Sequence, residues 1–146
     1  MNVKTFLVTA ALANATLGAV AHADSDDPTI QARQQAMKTI SQNFKTVSDT
    51  AKGTVDFDAA AIQAALTTIS ETAAEVPALF EAEVVDAESD ASDDIWANWD
   101  DFVTKAAALE NAAAEASGMV TSADDLSAVM GSVGGACGAC HKPYKL

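Results

Sequence analysis

Positive charge and aromatic bulk are what this chain has least of. Eight Lys and Arg stand against 21 Asp and Glu, giving a formal charge of −13 and a pI near 4.2 over 146 residues. Affinity for nucleic acid comes largely from Lys and Arg neutralising phosphates, so that class is excluded. Docking on anionic membrane surfaces is excluded on the same ground. There are only two cysteines, which rules out a four-thiolate zinc site and a multi-disulfide framework. Aromatics make up 5%, and alternating strand-like runs are missing. What is abundant is alanine, more than a fifth of the residues. Alanine is the best helix former, so the expectation is a single all-α domain.

Residues 1–23 read as an address rather than as fold. Lys4 marks a short positive n-region, an apolar stretch runs from Phe6 to Val20, and Ala21-His22-Ala23 forms an A-x-A cleavage site. An acidic segment opens at Asp24. This is the pattern of a secretory signal peptide; a membrane anchor is the alternative, since the stretch is borderline in length. Cleavage after Ala23 predicts a mature domain of residues 24–146. It removes one lysine, so 123 residues carry a charge of −14, and it removes His22, leaving His141 as the only histidine. No other stretch approaches transmembrane length. The expected product is periplasmic, exported from a bacterial cell, with no membrane attachment.

Four helices follow from period and punctuation. The first spans Pro28 to about Lys52, with Asp27 as N-cap, Ile30, Met37, Ile40, Phe44 and Val47 on one stripe, and Gly53 as the stop. The second spans about Asp58 to Phe80, with Pro77 predicting a kink or an early end near Val76. Residues 81–92 read as an acidic surface loop. The third helix opens at Ser92 or Asp93 and stops at Gly118, carrying Ile95, Trp99, Phe102, Ala106 and Leu109. The fourth opens on the capping box Ser122-Ala123-Asp124-Asp125, with the stripe Leu126, Met130, Val133, Cys137 and Cys140. Short links between four amphipathic helices predict an up-down-up-down antiparallel bundle.

The chemistry is concentrated in Cys137-Gly138-Ala139-Cys140-His141. C-x-x-C-H reads as c-type haem attachment. On a helix, residues at i, i+3 and i+4 share a face. Cys137 and Cys140 can then form thioethers to two haem vinyl groups while His141 coordinates iron beneath. A thioredoxin-like redox pair is the first competitor, but it belongs at a βα junction with its helix following. A metal clip is the second, and two thiolates with one histidine leave structural zinc a ligand short.

The other face of the iron has three candidates. Met130 lies on the haem-bearing helix itself and Met119 in a turn. Met37, on the core stripe of the first helix, is the best placed, with plain core packing as its alternative role. Methionine ligation would raise the potential and suit an electron carrier. Arg33 is the only arginine in the chain. It suits a haem propionate, a carboxylate that a guanidinium can pair with; a surface i,i+4 pair is the alternative. Gly131, Gly134 and Gly135 are costly in a helix and fit either close approach of a flat macrocycle or a bent helix. With haem in place, the alanine excess reads as room left for that group.

Arg33-Gln34-x-x-Met37-Lys38, Ile95-Trp96 with Phe102 after it, and a C-terminal Cys-x-x-Cys-His-x-x-Tyr144-Lys145 together resemble the class II c-type cytochromes, the cytochrome c′ and cytochrome c-556 family. The resemblance covers essentially the whole mature chain. It implies a four-helix bundle with one covalent haem c, His141 as proximal ligand, and Cys137 and Cys140 as attachment points. It implies Arg33 and Gln34 against the haem and its propionates, Asp90 as an acidic loop residue approaching the haem, and Met37 as the distal residue. Lys145 stands where many members have arginine; it keeps the charge but not the planar fork.

Three readings of function are carried forward. The first is a periplasmic electron carrier with low-spin Met–His iron; its charge predicts redox partners with basic docking patches. The second is a high-spin, five-coordinate cytochrome c′ that binds NO or CO, with protection against nitrosative stress as its role. The third is a haem-free exported bundle with a Cys137–Cys140 disulfide or metal clip. No nucleophile–base pair marks the chain as an enzyme. The resemblance leaves a homodimer through the first two helices open.

Overall fold

The computed structural model describes residues 24–146; the expected signal peptide, residues 1–23, lies outside the described residues. The first two helices begin for local reasons. Asp27 Oδ1 accepts from the Thr29 N–H at 2.7 Å and the Ile30 N–H at 3.3 Å, and Pro28 takes the first position of α1, Pro28–Ala51. Pro28 fits there because that N–H has no helical partner. Gly53 follows at φ +71°, a conformation that a β-carbon disfavours. Asp58 Oδ1 accepts from the Ala60 and Ala61 N–H groups at 2.9 and 3.2 Å and starts α2, Ala59–Phe80.

Three expectations are corrected. The early end at Val76 does not occur: α2 continues through Pro77 to Phe80. The proline costs one bond to the Ala73 carbonyl, and carbonyls of the final turn are capped from other elements, as described below. The third long helix is split at Asn98 (φ −129°, ψ 43°) into α3, Asp94–Ala97, and α4, Trp99–Met119. On α5, Leu126–Tyr144, the buried positions are Leu126, Val129, Val133 and Tyr144. Met130, Cys137 and Cys140, expected on the core stripe, are half-buried at its edge, as are Met37 and Phe44 on α1. The capping box is present, with Asp125 Oδ2 accepting from the Ser122 N–H at 2.9 Å, and a 3-10 turn over Ala123–Asp125 leads into α5.

The four long helices run alternately up and down, ringed in the order α1, α2, α4, α5. The α2–α4 side is packed most closely: the Ser70 hydroxyl reaches across to donate to the Glu110 carbonyl at 3.0 Å. Most of the buried alanines lie on this pair, including Ala65 and Ala73 on α2 and Ala106, Ala113 and Ala116 on α4. Small side chains let helix backbones approach. These buried alanines therefore serve the side of the ring opposite α1 and α5. The α1–α2 and α4–α5 sides are also well packed, whereas α1 and α5 meet only sparsely.

Candidate functional site

The start of α1, the end of α2, the 81–93 loop, the start of α4 and the end of α5 meet at one end of the bundle. Arg33, Gln34, Met37, Asp90, Cys137, Cys140 and His141 lie toward that end; Met119 and Met130 do not. Cys137, Cys140 and His141 project from one side of the last turns of α5. Both thiols are free and half-buried, and His141 is exposed. Burial raises the pKa of each thiol; partial desolvation of the otherwise exposed His141 ring lowers its pKa, and the charge of Lys145 adds to the effect.

Across the sparse side, α1 and α5 touch at Phe44 and Gly134: a β-carbon built on Gly134 would meet Phe44 Cζ at 3.3 Å. The helices are antiparallel and each rises about 1.5 Å per residue. Seven residues back along α1 and seven forward along α5, Met37 therefore comes level with His141. Met119 ends α4 at the far end of the bundle, 61% exposed, and is removed as a candidate ligand.

These residues fit the haem c that the motif calls for. Two thiols and an imidazole stand on one side of a helix, beside the one thinly packed side of the ring. Gly131, Gly134 and Gly138 recur along the His141 side, and β-carbons built on Gly131 and Gly138 would meet nothing within 4 Å. Among the described residues no group of three His, Cys, Asp or Glu could hold a metal ion, so the metal clip finds no support.

Arg33 is buried, 3% exposed, rather than on the surface. Its Nε donates to the Leu79 carbonyl at 2.9 Å, Nη1 to the Val84 carbonyl at 2.6 Å, and Nη2 to the Ala82 carbonyl. The guanidinium lies 4.6 Å from the Phe80 ring centre and 5.6 Å from that of Trp96. Trp96 Nε1 in turn donates to the Phe80 carbonyl at 2.7 Å. The end of α2 has no basic residue of its own, and Arg33 and Trp96 satisfy its last two carbonyls from outside. The partners of Arg33 are thus carbonyls of one segment, not a carboxylate. Burial lowers its pKa, and Asp27 partly offsets this.

Gln34 holds the same loop: its Nε2 donates to the Glu88 carbonyl at 3.1 Å, and its Oε1 accepts from the Ser25 N–H at 3.2 Å. Asp90 pairs with Lys145 Nζ at 3.0 Å. The loop also crosses the C-terminus, where the Ser92 N–H donates to the Tyr144 carbonyl at 3.0 Å and the Leu146 N–H to the Asp90 carbonyl at 2.8 Å. Sequence reasoning missed two features here. Ser25 is buried and its hydroxyl donates to Asp86. The Tyr144 hydroxyl donates to Asp101 Oδ2 at 2.5 Å, with Lys105 on the same carboxylate at 3.1 Å. Only the i,i+4 spacing of Asp101 and Lys105 was visible as a signal.

The family profile described as cytochrome c′ matches residues 28–145. A cytochrome c-556 of Rhodopseudomonas palustris is 33% identical over 147 residues, covering 97% of this chain and 96% of its own. The structure of cytochrome c′ from the same organism superposes with a TM-score of 0.78 at 29% identity, over 82% of this chain and 97% of that one. A cytochrome c′ of Alcaligenes xylosoxidans, in the ferrous state with bound NO, gives a TM-score of 0.69 at 27% identity, over 81% and 94%.

Proposed function

Because this chain belongs to the cytochrome c′ family, the class II c-type cytochromes, we propose that it is a periplasmic electron carrier of the c-556 kind. Membership brings covalent haem c as the cofactor. Cys137 and Cys140 would attach it, His141 would serve as its proximal ligand and Met37 as its distal one. The observation that carries the reading is the register across the open side, which brings Met37 level with His141. The identity to a cytochrome c-556 along nearly the whole chain supports it.

When bound, the haem iron supplies a one-electron couple. The chain's own residues do the rest. α5 presents two thiols and an imidazole from one side. Met37 offers a thioether from α1, a ligand that raises the potential. Trp96 and Trp99, half-buried against the core, supply apolar surface at that end, and Phe44 does so about two turns further along α1. The A-x-A leader supports export. Among the described residues no helix is long and apolar enough to cross a membrane.

Gas binding is the second reading. It is supported by likeness to cytochromes c′ of Alcaligenes xylosoxidans whose structures contain NO. The ferrous absorption spectrum with and without CO separates the two. Sharp low-spin bands that CO leaves alone are the expected result; a broad high-spin spectrum that shifts with CO would favour the gas-binding reading.

A further inference from the structure

α1 and α5 hardly touch, yet the same short segment grips both. Arg33 and Gln34 of α1 hold the carbonyls of Leu79, Ala82, Val84 and Glu88. A few residues on, Asp90 and Ser92 hold the end of α5 and the tail after it, through the Tyr144 carbonyl and the Leu146 N–H. Residues 79–92 therefore form a strap that ties the start of α1 to the end of α5, about one turn beyond Met37 and His141 along the two helices. Arg33 is its anchor. All three guanidinium nitrogens are engaged on the strap, and the side chain is buried between Phe80 and Trp96.

We propose that Arg33 is a positioning residue, which through the 79–92 strap fixes the spacing of α1 and α5 and so the reach of Met37 toward the metal. This rests on ligation by His141 and Met37 as proposed above. It differs from a propionate contact in what the conservative variant does. Lysine keeps the cation that a carboxylate needs. It cannot donate from three fixed nitrogens to three carbonyls.

The test is Arg33→Lys in the haem-loaded protein, read by amide hydrogen exchange at Ser92 and Leu146 and by the ferrous spectrum. Exchange at both amides is expected to accelerate by about tenfold or more, the scale set by losing one hydrogen bond from a charged donor. The spectrum is expected to gain high-spin character. Unchanged exchange would overturn the strap, and faster exchange with an unchanged spectrum would overturn its control of ligation. Deletion of Leu146 leaves Arg33 and the core intact and removes one grip at the other end. It should speed Ser92 exchange about threefold and move the spectrum in the same direction; no change in either would count against the proposal. A parent protein already high-spin would contradict Met37 ligation and control over it, while the exchange data would still judge the strap by themselves.

Discussion

The Tyr144 hydroxyl donates to Asp101 Oδ2 at 2.5 Å, tying the last turn of the helix that carries Cys137, Cys140 and His141 to the first turn of α4. The Tyr144 ring also meets Phe102 edge-on, with centres 5.5 Å apart. The bond holds the Asp101 carboxyl below the usual carboxylate range, helped by Lys105, and pushes Tyr144 up to about 12.

Tyr144→Phe keeps the ring and removes the bond, so it lowers the melting temperature at neutral pH. The raised Tyr144 pKa gives a contribution that is complete below its ordinary value of 10.0 and lost as pH rises toward about 12. The lowered Asp101 pKa gives one that is complete above 3.8 and lost as pH falls through the folded value. Thermal melts of parent and variant should therefore differ by a constant amount through neutral pH. The gap should narrow above pH 10 and again in acid. A gap that stays constant across pH 10–12 would show that the bond is absent in solution.

Cys137→Ser and Cys140→Ser each remove one attachment point. Haem should survive denaturing electrophoresis in either single variant, with the pyridine adduct bands displaced from those of the parent. The double variant should lose all covalent haem. Haem retained by the double variant would place the attachment elsewhere.

Gly53→Ala introduces a β-carbon at φ +71° with no steric neighbour within 4 Å. The cost is therefore backbone strain alone, about 1 kcal/mol, measured by denaturant unfolding. Gly53 sits at the end of the bundle away from His141, so the absorption spectrum should not change.

The charge of −14 on residues 24–146 predicts salt-weakened association with a basic redox partner. Stopped-flow electron-transfer rates should fall several-fold as ionic strength rises from low to physiological. Rates indifferent to salt would argue against an electrostatically steered partner.

Local signals in the sequence were enough to place most of the fold. Asp27 and Asp58 are N-caps that accept from N–H groups two and three residues ahead, so α1 and α2 began where expected. The break at Asn98 was hidden because Ile95, Trp99 and Phe102 keep a helical spacing across it. Pro77 suggested a kink or an end near Val76; the end does not occur, and Arg33 and Trp96 cap the carbonyls of the turn that follows. The haem motif was readable because its three groups fall within five residues. The partners of Arg33 lie 46 to 51 residues downstream, so no local pattern could show that its fork reads carbonyls instead of a carboxylate. The level placement of Met37 and His141 likewise needed the Phe44–Gly134 contact.

Electron transfer as proposed rests on Met37 standing opposite His141, and the ferrous spectrum of Met37→Ala beside that of the parent tests this most directly. The parent should show sharp low-spin bands that CO does not alter, and the variant a broad high-spin spectrum that CO shifts. A variant spectrum identical to that of the parent would contradict ligation by Met37.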